Sequence, residues 1–166
     1  LDEKGEFVRN PEEDIVKVAV VERHQGTGNV ACGFLKGYGI KAGAVALSIA
    51  HDSHNIIVVG VSDEEMEFAV NSLIAQEGGM VLVKEGKVIE SMPMPIAGLM
   101  SDQSGEWVDE KLTAIHAKAY EELGIAGDVE PVMTLCFMSL AVIPEVKLTD
   151  MGLFDVTTFS FIPVEA

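Results

Sequence analysis

Two apolar, strand-like stretches separated by a short polar cluster constrain the fold of this chain more than any other feature. Residues 46–50 and 56–60 are mostly apolar and show no helical spacing, which is typical of buried strands. Between them stand five polar residues in a row: His51, Asp52, Ser53, His54 and Asn55. This pattern predicts two buried strands with the polar cluster at one end of the sheet, where binding and catalytic residues are often found.

The chemistry open to this cluster depends on how the chain turns. In an extended strand, residues 51, 53 and 55 share one face and residues 52 and 54 the other. His51 and His54 therefore converge only if the chain turns at Asp52 and Ser53. Histidine and carboxylate side chains can bind zinc, iron or manganese, but a complete site needs three or more ligands and this segment supplies three at most. The alternatives are a polar turn that satisfies its own backbone groups and a site that holds substrate or catalytic groups.

Length, charge and cysteine content exclude several functional classes. The chain has 166 residues, which favours one domain, and a net charge of −16. A domain this acidic repels phosphate backbones and anionic membrane surfaces, so we expect neither nucleic acid nor membrane as a partner. The longest apolar run, residues 132–143, is too short to span a bilayer. Cys32 and Cys136 lie in apolar segments and are expected to be buried and unpaired, which fits a cytoplasmic protein.

The overall pattern predicts an α+β fold with a mainly antiparallel sheet and two main helices packed on one face of it. Apolar runs indicate six strands, and Glu85 and Gly86 form a tight hairpin turn between the last two. A strand pair followed by a helix begins near residue 43 and again near residue 79, which suggests a ββα duplication. Residues 1–13 are polar and acidic and are interpreted as a linker or arm before a domain at 14–166.

The two predicted helices have distinct start signals. Ser62 is expected to cap the first helix, and Glu65 would complete a capping box. The second helix is expected to begin near Ser104 and to end at about Leu123. The tail from residue 131 onward is predicted to form short strands.

A second polar segment, Ser101 and Asp102, precedes the second helix. These side chains are well placed to cap that helix. Gly98 and Gly105 on either side would also allow this loop to approach a ligand closely. Arg23, one of two arginines, is expected to form an ion pair with Glu22 or another acid, which by itself says little about function.

Several segments together carry a family resemblance. They are Val-Glu-Arg-His at 21–24, Gly-Phe-Leu-Lys-Gly-Tyr-Gly at 33–39, Ala-His-Asp-Ser-His-Asn-Ile-Ile-Val-Val-Gly at 50–60, Pro-Met-Pro-Ile-Ala-Gly-Leu-Met-Ser-Asp at 93–102, Thr-Leu-Cys-Phe-Met-Ser-Leu at 134–140 and Leu-Thr-Asp-Met-Gly-Leu-Phe-Asp-Val at 148–156. Over about residues 15–160, the chain resembles the C-terminal domain of bacterial and archaeal adenine deaminases.

The resemblance implies a parent enzyme that hydrolyses adenine to hypoxanthine and ammonia. In that family the chemistry belongs to a barrel of the amidohydrolase superfamily, which binds manganese or iron through a His-x-His motif and further ligands and activates a water molecule. This chain has no His-x-His motif, and 166 residues are too few for a barrel of about 250 residues. The resemblance therefore implies an accessory domain that is inactive alone and carries no metal of its own.

Three hypotheses for function follow. In the first, the domain docks on or covers the barrel of the same enzyme, in a homo-oligomer, with His51, Asp52, Ser53, His54, Asn55, Ser101 and Asp102 as the candidate site-lining residues. In the second, it is a separate non-catalytic module that binds a purine between the 51–55 turn and the 95–104 loop. In the third, His51 and His54 serve a small independent metal enzyme.

Overall fold

The computed structural model describes residue 3 and residues 8–164; the remaining positions of the predicted arm, residues 1, 2 and 4–7, lie outside the described residues. In chain order the elements are β1 (Ile15–Val21), β2 (Val30–Lys36), β3 (Ala44–Leu47), β4 (Ile56–Gly60), α1 (Asp63–Ala75), β5 (Gly79–Lys84), β6 (Lys87–Pro93), α2 (Gly105–Glu121), α3 (Met133–Cys136), β7 (Val146–Thr149), β8 (Gly152–Asp155) and β9 (Ser160–Ile162). None of the helices in this part of the chain is long and apolar enough to cross a membrane.

Six strands form one antiparallel sheet in the order β2-β1-β4-β3-β5-β6. Three sequence-adjacent pairs, β1–β2, β3–β4 and β5–β6, are hairpins within it. The β5–β6 hairpin turns at Glu85 and Gly86, both with positive φ, as predicted. The α+β class, the antiparallel sheet and the two main helices are confirmed.

The two main helices cover opposite faces of this sheet, which corrects the expectation that they share one face. Met66, Ala69 and Leu73 of α1 pack in a core cluster with alternate residues of β3, β4 and β5. Ile115 and Ala119 of α2 pack in a second cluster with the intervening residues of the same strands. Both faces of these strands are buried because each is covered by a helix. The ββα order occurs twice, but with the helices on opposite sides.

Serine side chains begin both main helices. The Ser62 hydroxyl accepts a hydrogen bond from the Glu65 N–H at 3.3 Å, and Ser104 does the same for Trp107 at 3.3 Å. The carboxylate of Glu65 accepts a hydrogen bond from Gly86 N–H at the β5–β6 turn. The predicted Ser62 cap is therefore present, but the predicted capping box is wrong, because the Glu65 carboxylate bonds the neighbouring hairpin and not the Ser62 N–H.

The tail departs from the all-strand expectation at its beginning. Residues 133–136 form a short helix whose Leu135 and Cys136 join the α2-side core. The following strands β7, β8 and β9 form a second antiparallel sheet. Leu148 and Leu153 of this sheet lie 3.7 and 3.4 Å from the position of a Cβ on Gly33, so the small sheet packs closely on β2.

The cysteines differ in exposure. Cys136 is buried as expected, and burial raises the pKa of its thiol to about 12. Cys32 is exposed, which corrects the expectation of burial. It lies on β2, an edge strand whose α1 side is not covered by a helix, so apolar neighbours in the sequence did not place it in the core.

The described end of the predicted arm contacts the domain. Asn10 and Ile15 exchange two backbone hydrogen bonds of 3.1 and 2.9 Å. The Arg9 guanidinium donates to the carbonyl oxygens of Ile40 and Lys41 at 3.0 and 3.3 Å. The boundary between arm and domain at residue 14 stays a prediction.

Candidate functional site

The 51–55 segment is a turn between β3 and β4, at the end of the large sheet. The His54 N–H donates to the Ala50 carbonyl at 2.7 Å, and His54 itself has a positive φ of 53°. The His51 N–H donates to the carbonyl of Cys136 at 2.8 Å, which ties the turn to the tail. The chain reversal brings the His51 and His54 rings to 5.5 Å between centroids.

The His51 ring is held by an aromatic neighbour more than by charge. It stacks on Phe137 with the ring centroids 5.3 Å apart and the planes at 22°. Its Nδ1 atom is 3.8 Å from Asp52 Oδ1, but these side chains are 42% and 81% exposed. A pair this open to water contributes little to stability, so Asp52 is left available to an incoming group.

The histidine pair does not fit a metal ion. No group of three or more His, Cys, Asp or Glu side chains among the described residues is arranged to hold one. Because a structural or catalytic metal site needs at least three protein ligands, no metal-dependent step can be assigned to His51 and His54.

The His54 ring is partly buried. Its Nδ1 atom is buried and has no hydrogen-bond partner among the described residues. Burial, followed by the nearby charges of His51 and Arg23, lowers the pKa of His54 below its ordinary value of 6.5. The lowered pKa favours the neutral ring, in which one nitrogen donates a hydrogen bond and the other accepts one.

Arg23 joins this turn to a distant loop. Its Nε donates to the carbonyl oxygen of His54, and its Nη2 donates to the carbonyl oxygen of Ala97 at 2.8 Å. The Arg23 N–H donates to the side-chain oxygen of the buried Asn55 at 3.2 Å. The expected ion pair between Arg23 and Glu22 is not formed, because the Glu22 carboxylate accepts backbone N–H groups of its own turn, including those of residues 25 and 27.

The loop that follows β6 is also held by a side chain that comes after β3 in the chain. The buried Ser48 hydroxyl donates to the Gly98 carbonyl at 2.6 Å and accepts from the Gly79 N–H at 2.8 Å. A Cβ on Gly78 would lie 2.6 Å from the Gly98 Cα, and one on Gly98 would lie 2.8 Å from Arg23 Nη1. Backbone and guanidinium approach this closely only because both positions are glycine.

Between the turn and this loop lies an open cleft of about 470 Å³. It is lined by Arg23, His24, His54, Glu77, Pro95, Ala97, Gly98 and Leu99. The lining therefore combines an arginine, two histidines and one glutamate with apolar residues.

The comparisons with known proteins agree with the predicted resemblance. The family model of the adenine deaminase C-terminal domain matches residues 1–160. The chain belongs to this family. It is 73% identical over 162 residues to adenine deaminase 2 of Desulfotalea psychrophila, 53% over 164 residues to adenine deaminase of Ligilactobacillus salivarius, and 51% over 162 residues to adenine deaminase 2 of Carboxydothermus hydrogenoformans. These alignments cover 98%, 99% and 98% of this chain but 28% of each relative.

The fold brings only part of the predicted residue set together. The 51–55 turn and the 95–99 part of the loop meet through Arg23. Ser101 and Asp102 accept hydrogen bonds from the backbone and side chain of Gln103 in their own turn. Of the seven predicted site residues, His54 alone is among the described residues that line the cleft, and Ser104 is the residue that caps α2.

Arg23 and His24 line the cleft but were not among the candidate residues. His24 Nε2 lies 2.6 Å from the Ser53 carbonyl oxygen, a hydrogen-bond acceptor. One sequence signal was available, because these two residues come shortly after the apolar run 15–21, as His51 comes after the run 44–50. The C-terminal ends of β1 and β3 lie at the same end of the sheet because both strands run antiparallel to β4, which lies between them.

Proposed function

We propose that this chain acts as the C-terminal accessory domain of an adenine deaminase, in which adenine and water give hypoxanthine and ammonia. The observation that carries the proposal is the family match over residues 1–160 together with alignments that span 28% of each adenine deaminase. The remaining length of those relatives is ample for a separate catalytic domain. In this proposal the catalytic domain is a barrel of the amidohydrolase superfamily that holds manganese or iron.

The accessory domain would dock with its cleft end against the mouth of that barrel. Three of the four histidines and one of the two arginines gather at this end, in a chain of net charge −16. Exposed Asp52 and half-exposed His51 are free to reach a neighbouring surface or a substrate. Docking would cover the active site and exclude water from it, and the assembled protein would be a cytoplasmic homo-oligomer.

The test is complementation in trans. The catalytic domain of a related adenine deaminase is mixed with this chain, and ammonia release from adenine is measured. We expect faster turnover with the wild-type chain than with His51→Ala or Asp52→Ala, because both variants remove groups at the docking end.

His116→Ala is the matched control, since this fourth histidine lies on α2 and is bonded to Glu130. It should stimulate turnover as the wild type does. Equal rates for all four proteins would remove the 51–55 turn from the mechanism. Ammonia release by the chain alone, lost in His51→Ala, would contradict the accessory role altogether.

The cleft favours a second candidate function, a non-catalytic purine-binding module. Its volume lies within the usual range of about 300–1,000 Å³ for small-molecule sites. Here adenine would bind the isolated chain, and calorimetric titration of adenine into the chain measures this directly. Saturable binding at one site that is weakened in His54→Ala favours the module, whereas the absence of heat leaves docking as the better explanation.

A further inference from the structure

One side chain connects three segments that are distant in sequence. Arg23 stands two residues after β1, and its guanidinium bonds carbonyl groups 31 and 74 residues further along the chain. The first carbonyl belongs to His54 in the turn, and the second belongs to Ala97 in the loop. The width of the cleft between turn and loop is therefore set by the span of one planar group.

The Arg23 guanidinium positions two backbone carbonyl groups rather than pairing with a carboxylate. Among the described residues, no Asp or Glu forms a salt bridge with Arg23, although the chain contains 27 acidic residues. An arginine presents five N–H donors in a rigid plane, whereas a lysine presents one ammonium group on a flexible stem. The rigid fork of arginine therefore holds the two carbonyl oxygens at a fixed separation, which a flexible lysine does not.

We propose that Arg23 is the positioning residue of the cleft, with Gly98 as the residue that makes room for it. The two carbonyl bonds hold turn and loop as one rigid unit and thereby fix the His54 ring. The importance of this unit for catalysis rests on the proposed function. The positioning itself is a property of this chain and is testable without a catalytic domain.

A substitution at Gly98 tests the same contact without changing Arg23 itself. It has a φ of +72°, and a Cβ there would lie 2.8 Å from Nη1 and 3.1 Å from Cζ of Arg23. An alanine at this position must push the guanidinium away from the two carbonyl groups. Gly98→Ala therefore disturbs the arrangement while Arg23 and its charge remain.

The experiment compares Arg23→Lys and Gly98→Ala with Arg9→Lys in the isolated chain. Arg9 is a matched control, because it also donates to two backbone carbonyls but at the opposite end of β1. The imidazole resonances of His54 are followed by NMR through a pH titration, and circular dichroism verifies that each variant is folded. The net charge of the chain is the same in all three variants as in the wild type.

We expect both cleft variants to shift the His54 resonances and to raise its titration midpoint toward 6.5, because a looser cleft admits water to the ring. Arg9→Lys should leave both unchanged. Identical His54 titrations in wild type, Arg23→Lys and Gly98→Ala would overturn the proposal. If Arg23→Lys does not fold, Gly98→Ala decides the question alone.

The same variants added to the complementation assay separate this inference from the proposed function. If the turn contacts the substrate, we expect KM to rise about tenfold while kcat is retained. A change of this size corresponds to the loss of one charge-assisted hydrogen bond. Altered His54 titrations with unchanged kinetics would sustain Arg23 as the positioning residue and contradict docking of this end over the active site.

Discussion

Ser48 has a fully buried hydroxyl that serves backbone groups in two different segments. It donates to the Gly98 carbonyl and accepts from the Gly79 N–H. Ser48→Ala leaves both groups buried and unpaired, and we expect a loss of about 1–3 kcal/mol in the free energy of unfolding. Urea denaturation measures this. Ser101→Ala is the control, because its hydroxyl bonds an exposed turn, and equal midpoints for the two variants would contradict the prediction.

Glu22 predicts a dependence of stability on pH. The Thr27 N–H, helped by the N–H groups of Gln25 and His24, lowers the pKa of this carboxyl from 4.5 to about 2. Because the folded pKa is the lower one, the stabilisation is complete above about pH 4.5 and is lost as pH falls toward 2. Glu22→Gln should therefore lower the melting temperature at pH 7 and have little effect near pH 2.

The control for this prediction is Glu67→Gln, at an exposed carboxylate on α1. Thermal unfolding of the three proteins is followed at both pH values. A Glu22→Gln deficit of the same size at pH 7 and pH 2 would show that the charge of the carboxylate has no part in holding the turn.

The sequence predicts the positions of some side chains of the site but not of others. The polar run between two apolar runs predicts the 51–55 turn, because the hydrophobic pattern itself is interrupted there. The prediction of an ion pair for Arg23 is wrong, because its guanidinium bonds backbone carbonyl groups. Every residue has a carbonyl group, so the sequence does not show which ones the guanidinium will bond. Its partners are any two residues whose carbonyl groups the fold brings within reach.

At the scale of elements, α1 lies directly on β4 because Gly60 has no side chain. A Cβ at Gly60 would lie 2.6 Å from Met66 Cγ and 2.8 Å from Ala44 Cβ. Gly60→Ala should therefore cost about 1–3 kcal/mol through overpacking, measured as a lower urea midpoint. Gly105→Ala is the control, since no atom lies within 4 Å of a Cβ at this first position of α2.

Alanine is the better helix former, so Gly105→Ala should be neutral or stabilising by up to about 1 kcal/mol. A Gly60→Ala variant as stable as the wild type would mean that helix and strand are not in direct contact.

The positions of the strands, the helix starts and the β5–β6 turn follow from sequence patterns, but the helix faces do not. An amphipathic stripe shows that a helix packs on something, and it does not show which side of the sheet. The runs 44–47 and 56–60 did contain a relevant signal. They are apolar at every position up to the final glycine, and a strand buried on both faces requires a cover on both faces.

At the scale of the whole molecule, the small sheet belongs to the main core. Leu148 is buried in the same cluster as Val18 of β1 and Ile115 of α2. Leu148→Ala should therefore cost about 2–5 kcal/mol and shift the unfolding of the entire domain. Urea unfolding is followed by fluorescence of Trp107, the single tryptophan, which lies on α2, and by circular dichroism.

Coincident shifts of both signals are expected, and the exposed Val146→Ala on the same strand should produce a much smaller shift. A Trp107 transition that Leu148→Ala leaves in place would indicate that the small sheet unfolds separately. The tail was predicted less well than the rest because its strands are short and its first helix is a single turn, which leaves little periodicity in the sequence.

The strand order also has a consequence for how the chain assembles. Each of the three hairpins closes a short loop, whereas the β1–β4 and β3–β5 contacts join segments tens of residues apart. Closing the longer loops costs more entropy and slows folding. The cleft lies across the β1–β4 junction, with Arg23 just beyond one strand and His54 just before the other. The cleft is therefore completed only when the β1–β2 and β3–β4 hairpins pair with each other.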